Sequence, residues 1–101
     1  MPYLIETWDK PNHQHVRDRA RAEHLAYLDA AAHRLLACGA KLTDDGAGAT
    51  GGVYILDTES REEAERFIAA DPFSKVDLFA SVVVTPWRKA YFNFERCLPR
   101  S

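Results

Sequence analysis

The segments of this 101-residue sequence that read as β-strands are apolar on both faces, and that property restricts what the chain can become. Side chains alternate sides along a strand. In Val53-Tyr54-Ile55-Leu56 the pair Val53 and Ile55 therefore points away from Tyr54 and Leu56, and in Val82-Val83-Val84 the middle valine points away from its neighbours. A sheet with two apolar faces must be covered twice. Only two helical patterns are present, enough for one face, so the other calls for face-to-face packing of two subunits, a homodimer.

Tyr3 to Trp8 is a run of aromatic and branched residues closed by Asp9-Lys10-Pro11-Asn12, a strand ending in a turn. From about His15 to Cys38 Ala, Leu, Arg and Glu dominate, which predicts one long helix stopped by Gly39. Ala40 to Thr43 reads as a short strand, and Asp44 to Gly52, with four of the five glycines, as a flexible hairpin connection. Val53 to Asp57 is the next strand. Ser60-Arg61-Glu62-Glu63 is a capping box, in which the Ser60 hydroxyl accepts the Glu63 amide proton and the Glu63 carboxylate accepts that of Ser60. The second helix that starts there carries Ala64, Phe67 and Ile68 on one face and stops near Asp71, ahead of Pro72. Phe79 to Trp87 is the last strand, and Tyr91, Phe92 and Phe94 in the tail, residues 88–101, predict that it packs on something. The order β-α-β-β-α-β is the ferredoxin-like arrangement, an α+β domain spanning residues 1–101 with two helices over one face of a four-stranded antiparallel sheet.

Charge narrows the partners. With 13 basic against 15 acidic residues the net charge is −2, without the electrostatic footprint that nucleic acid or an anionic membrane surface requires. No apolar run approaches the roughly 20 residues that span a bilayer, and Met1 to Lys10 has no basic region followed by an apolar stretch. A cytoplasmic protein is expected, with Cys38 and Cys97 as reduced thiols.

His24 precedes Leu28, Ala31 and Leu35 at helical offsets, which puts it on the stripe facing the sheet, while His33 is turned to the opposite side. Arg21, one turn earlier, points the same way as His24. A cation beside an imidazole favours its neutral, basic form and offers a fork for an anionic or phenolic oxygen. Together they suit a small-molecule pocket between helix and sheet, although a core histidine donating to a backbone carbonyl, with Arg21 solvated, fits the same spacing. Asp71 falls on the buried line of the second helix and Asp9 at the mouth of the first strand; each is also a common turn former. His13 and His15 form an H-x-H pair that no carboxylate or cysteine of convincing spacing completes, so no metal is expected. The glycines from Gly46 to Gly52 match neither a dinucleotide fingerprint nor a phosphate loop.

Taken in order, Arg21-Ala-Glu-His24-Leu25, the Gly-rich hairpin, Ser60-x-x-Glu63-Ala64, Asp71-Pro72-Phe73 and Pro86-Trp87-Arg88-Lys89 resemble the YciI-like (YCII-related) family of the dimeric α+β barrel superfamily over nearly the whole chain. The resemblance implies a ferredoxin-like homodimer with a histidine/aspartate site in a cleft, carried here by His24 and Asp71, with Asp9 as the other candidate carboxylate and Arg21 to hold a substrate oxyanion. Enzymes similar to this family act without cofactor on small rings, for instance dehydrochlorinating a chlorinated hydroxyhydroquinone in aromatic degradation, and related barrels include muconolactone isomerases. Asn12-His13-Gln14-His15, the short hairpin and the aromatic tail depart from the commoner pattern. A dimeric binding or accessory domain without catalysis, and heme or radical oxygenation of the kind in neighbouring barrels, are the competing expectations.

Overall fold

The computed structural model describes residues 1–99, which run β1 (Tyr3–Asp9), α1 (Gln14–Ala30), a 3-10 turn (Ala32–Arg34), β2 (Leu35–Leu42), β3 (Ala49–Leu56), α2 (Arg61–Ala70), α3 (Pro72–Lys75), β4 (Phe79–Pro86) and a hairpin of β5 (Tyr91–Phe92) and β6 (Glu95–Arg96). The first four strands make one antiparallel sheet in the order β2-β3-β1-β4. This is the ferredoxin-like α+β fold. Ile5 at the centre of β1 pairs with Tyr54 and Val84, and with Leu56 it packs against Ala64, Phe67 and Ile68 of α2. Fully burying side chains of this size stabilises the fold by roughly 1.5–3 kcal/mol each.

The helices cover one face. On the other stand Leu4 and Trp8 of β1, Val53 and Ile55 of β3 and Val83 of β4, the last 49% exposed. Lys41 of β2 reaches across this outer face to Glu6, at 3.2 Å, and over the Trp8 ring at 3.8 Å.

The long helix expected from His15 to Cys38 is a correction. α1 ends at Ala30, a 3-10 turn reverses the chain, and Leu35 to Leu42 forms β2 against β3, so Leu35, Cys38 and Gly39 are strand residues. A helix running to Cys38 would be about 36 Å long, beyond the roughly 27 Å of an eight-residue strand, and would leave an edge of β3 unpaired. The hairpin is also shorter than expected, since β3 begins at Ala49 and already includes Gly51 and Gly52. Gly51 has to be glycine: a Cβ there would sit 2.0 Å from the Thr7 carbonyl oxygen.

Only half of the capping box forms. Ser60 Oγ accepts from the Glu63 amide at 3.1 Å, but the Glu63 carboxylate is taken by Thr58 (2.9 Å) and Arg34 (2.9 Å), and the Ser60 amide donates to Thr58 Oγ1 instead. The aromatic tail, as far as Pro99, does not pack inward: β5 and β6 pair with each other and Phe94 at their tip is fully exposed. Arg100 and Ser101, the end of the expected tail, lie outside the described residues.

Candidate active site

The buried residues of α1 are Arg17, Ala20 and His24, spaced three and four apart so that they share one face. Below them the inner face of the sheet carries small residues, with Cys38 paired to Tyr54 and Ala40 paired to Gly52. Small residues under a helix leave a hollow. Its volume is about 200 Å³, and Arg17, Arg21, His24 and Phe73 form its wall opposite the strands.

His24 is 8% exposed, and its Nδ1 lies 2.8 Å and 3.0 Å from the two carboxylate oxygens of Asp71, which is fully buried. Asp71 is held where α2 gives way to α3. It is extended (φ −62°, ψ 133°), Pro72 opens α3, and Asp71 Oδ1 caps that helix by accepting the Phe73 amide at 2.8 Å. Asp71 Oδ2 accepts the Tyr54 hydroxyl at 3.0 Å. A carboxylate already taking an amide and a phenol proton is an acceptor only, so Nδ1 of His24 carries a proton and donates it. In the neutral ring the lone pair then sits on Nε2. Among the described residues Nε2 has no partner, yet no buried side-chain nitrogen or oxygen goes unpaired, so Nε2 is open to solvent on a residue that lines the hollow.

Phe73 lies flat on the imidazole, ring centres 3.9 Å apart and planes within 13°, which fixes the ring's tilt. The Asp71 charge is felt around the site. The Tyr54 hydroxyl is pushed far above its usual value by burial and by Asp71, and the Cys38 thiol, partly open to the hollow, is pushed up to about 11 by the same two causes.

Of the residues singled out in the sequence, the structure brings together His24 and Asp71, with Arg21 exposed at the rim of the same hollow. Asp9 is elsewhere. Its carboxylate receives Nε and Nη2 of Arg17 at 2.7 Å and 3.1 Å, so it does not serve His24. His13 precedes α1, with Nδ1 2.8 Å from the Pro11 carbonyl, and its ring lies 6.0 Å from that of His15. Sequence reasoning missed Tyr54 and Arg17. Tyr54 read as core, and the available signal was that a buried tyrosine hydroxyl requires a partner. Arg17 stands about two helical turns before His24 on the same face, a relation visible once His24 is taken to face inward.

Known proteins resemble this chain in sequence and in fold. An uncharacterized protein of Haemophilus influenzae is 34% identical over 98 residues, covering 90% of this chain and all of the relative, and protein YciI of Escherichia coli is 33% identical over the same lengths. Among solved structures, 5-chloro-2-hydroxyhydroquinone dehydrochlorinase from Burkholderia phenoliruptrix, determined in complex with 2,5-dihydroxybenzoquinone, superposes with a TM-score of 0.81 at 35% identity, covering 87% of this chain and 94% of that one. An antibiotic biosynthesis monooxygenase from Bacteroides thetaiotaomicron shares the fold alone, with a TM-score of 0.58 at 13% identity and cover of 94% and 93%. The YCII-related domain matches residues 1–88, and the chain belongs to that family.

Proposed function

We propose that this chain is an enzyme that performs acid–base chemistry on a phenolic or lactone ring without a cofactor, the favoured reaction being loss of hydrogen chloride from a chlorinated hydroxyhydroquinone. The observation that carries this is a buried His24–Asp71 pair in the wall of a hollow of about 200 Å³, with the second imidazole nitrogen unpaired among the described residues. The likeness to a dehydrochlorinase at 35% identity supports the choice of ring.

His24 Nε2 takes a ring hydroxyl proton and returns it to the carbon bearing chlorine, as the oxygen's electrons form a carbonyl. It then takes a second hydroxyl proton while the C–Cl electron pair leaves as chloride. The ring ends as a hydroxyquinone, and no outside oxidant is consumed because the departing chloride carries the electrons. Asp71 holds the productive tautomer and stabilises the imidazolium formed midway. Arg21 at the rim attracts the anionic ring. His24→Ala should lower chloride release by at least about 100-fold in protein shown by its circular dichroism to be folded at the assay temperature. Equal turnover in that variant would sink the assignment, and ring binding without any turnover in the parent would leave a binding domain.

The functional unit of this proposal is a cytoplasmic homodimer joined through the outer sheet face of Leu4, Val53, Ile55 and Val83. Support comes from the exposure of apolar side chains there, Val83 at 49% and Trp8 at 38%. Sedimentation should give twice the 11.4 kDa chain mass, and Val83→Lys should halve it.

A further inference from the structure

Cys38 is the nucleophile of the hollow that the chemistry above leaves without a task. It stands directly opposite Tyr54 in the β2–β3 ladder, so the two side chains leave the sheet on the same face, the one on which Tyr54 reaches Asp71. The thiol is exposed on an edge strand and lines the hollow beside Gly39, Ala40 and Gly52, residues too small to cover it. A second feature of the same wall points to a ligand. His24 is only 8% exposed, and its Nε2 has no partner among the described residues. Cys97, the other cysteine, is also exposed but does not line the hollow.

Taken alone, the thiol is slow. Burial first and the Asp71 charge second push it up to about 11. Against an ordinary thiol near about 8.5, that leaves about 300-fold less thiolate at neutral pH, of which the stronger nucleophilicity of a more basic sulfur returns about tenfold. In bulk water Cys38 therefore trails an ordinary cysteine by roughly 30-fold. A ring resident in the hollow reverses that order. Well-aligned partners meet at effective concentrations of about 10⁵ M and above, so even a poorly aligned resident ring outweighs this handicap against the same ring dilute in solution.

We propose that Cys38 is a covalent capture site for quinones that occupy the His24 hollow, and that the adduct closes the hollow to the next ring. The step is a conjugate addition. The S–H bond breaks and a C–S bond forms at an unsubstituted carbon of a quinone C=C bond, while the thiol proton passes through His24 Nε2 to one carbonyl oxygen. The proton on that ring carbon then moves to the other carbonyl oxygen, and the electron pair of its C–H bond makes the ring aromatic. The product is a hydroquinone thioether, and no outside oxidant or reductant is consumed. The inference rests on the ring chemistry proposed above and assigns to the same site a way of being shut down when quinone accumulates.

The test treats the parent at pH 7 with one equivalent of 1,4-benzoquinone and, in a separate reaction, with iodoacetamide, which has no ring, and maps both labels on Cys38 and Cys97 by peptide mass. The quinone should favour Cys38 by about 10-fold or more, the contribution of residence in the hollow, and iodoacetamide should favour Cys97. Saturating 2,5-dihydroxybenzoquinone, a poor electrophile because its hydroxyls are ionised, should move the quinone label to Cys97, its own binding being followed by its visible absorption. A quinone label that divides between the two thiols as iodoacetamide does overturns the proposal, as does a Cys38 label that bound 2,5-dihydroxybenzoquinone fails to displace. In folded Cys38→Ala, prior treatment with the quinone should no longer block 2,5-dihydroxybenzoquinone, and a block that persists overturns the closing role of the adduct. Chloride release is scored separately: a parent that captures the ring in this way but turns nothing over defeats the catalytic proposal and leaves Cys38 standing, whereas full turnover without capture does the reverse.

Discussion

Two carboxylates nearly closed to solvent, Asp71 and Asp9, each meet a side chain from one face of α1, about two turns apart, and a single ring, Phe73, touches both of those partners. The likeness ends at the partner. Asp71 takes an imidazole, a phenol and an amide, so its charge is spread over three donors, one of which has a second nitrogen able to accept a proton. Asp9 takes a guanidinium, which does not deprotonate in a protein. Under the proposed function the first cluster lets a proton move, and the second keeps a charge in place. A carboxylate's task here is set by what faces it, since both side chains are nearly closed to solvent.

The sharpest way to break that contrast is Asp71→Asn, which keeps the shape and removes the charge. The amide donates where the carboxylate only accepted, turning the imidazole to the wrong tautomer, and chloride release should fall by about 10³–10⁴. Stability should fall by only about 1–2 kcal/mol in urea unfolding. Turnover within tenfold of the parent would mean that Asp71 does not govern the histidine. The opposite cluster should respond in stability first. Arg17→Met strands a buried carboxylate at a cost of roughly 3–5 kcal/mol, and adding Asp9→Leu should recover most of it, as for other buried pairs. A double variant no more stable than Arg17→Met would show that packing on Phe73, and not the ion pair, holds Arg17.

Tyr54 sharpens the comparison at a smaller scale, because it belongs to the Asp71 cluster without being able to exchange a proton there. Burial and the Asp71 charge hold its hydroxyl protonated through the working range of pH. Tyr54→Phe should therefore cost about 1 kcal/mol, the worth of one hydrogen bond, and leave the pH profile of turnover in place. A displaced profile would make Tyr54 part of the proton path.

The sequence makes some of this arrangement legible and hides the rest for physical reasons. Strands β1, β3 and β4 are evident because branched and aromatic residues crowd them, and the start of α2 because Ser60 is a true cap. The inward aspect of His24 follows from helical spacing. Only the end of β2, from Ala40, is legible: Ala31 to Cys38 is rich in helix formers with no breaker before Gly39, and the unpaired edge of β3, a tertiary demand, turns Leu35 to Gly39 into a strand. Gly51 and Gly52 look like turn residues, yet Gly51 is needed where β3 nearly touches Thr7 and Gly52 keeps the floor of the hollow bare. Arg17 reads as a solvated helix charge because the residue that makes its burial tolerable, Asp9, lies on another element. A site assembled across four elements is recorded in the sequence as single residues, and their pairing exists only in the fold.

The smallest expected effect sets the scale for the others, because the chain also carries a carboxylate–guanidinium pair at its surface. Arg34 Nη1 lies 2.9 Å from Glu63 Oε1, with both side chains more than a third exposed. Hydrogen bonds from Thr58 first and Arg34 second hold the Glu63 carboxyl below its usual 4.5. A folded-state value below the unfolded one means stability that is present above about pH 4.5 and lost as the pH falls through the lowered value. Glu63→Gln should therefore be slightly less stable than the parent at pH 7, and the two should converge as the pH falls through the lowered value. Salt should separate this pair from the buried one. Raising ionic strength to 1 M cuts the Debye length to about 3 Å, which weakens a solvent-exposed pair far more than a desolvated one. The Glu63→Gln difference should shrink in salt while the Arg17–Asp9 coupling energy persists, as read by urea unfolding of both sets at low and high salt. Coupling that fades equally in the two would mean that water reaches Arg17 and Asp9, and the fixed-charge role of that cluster would go with it.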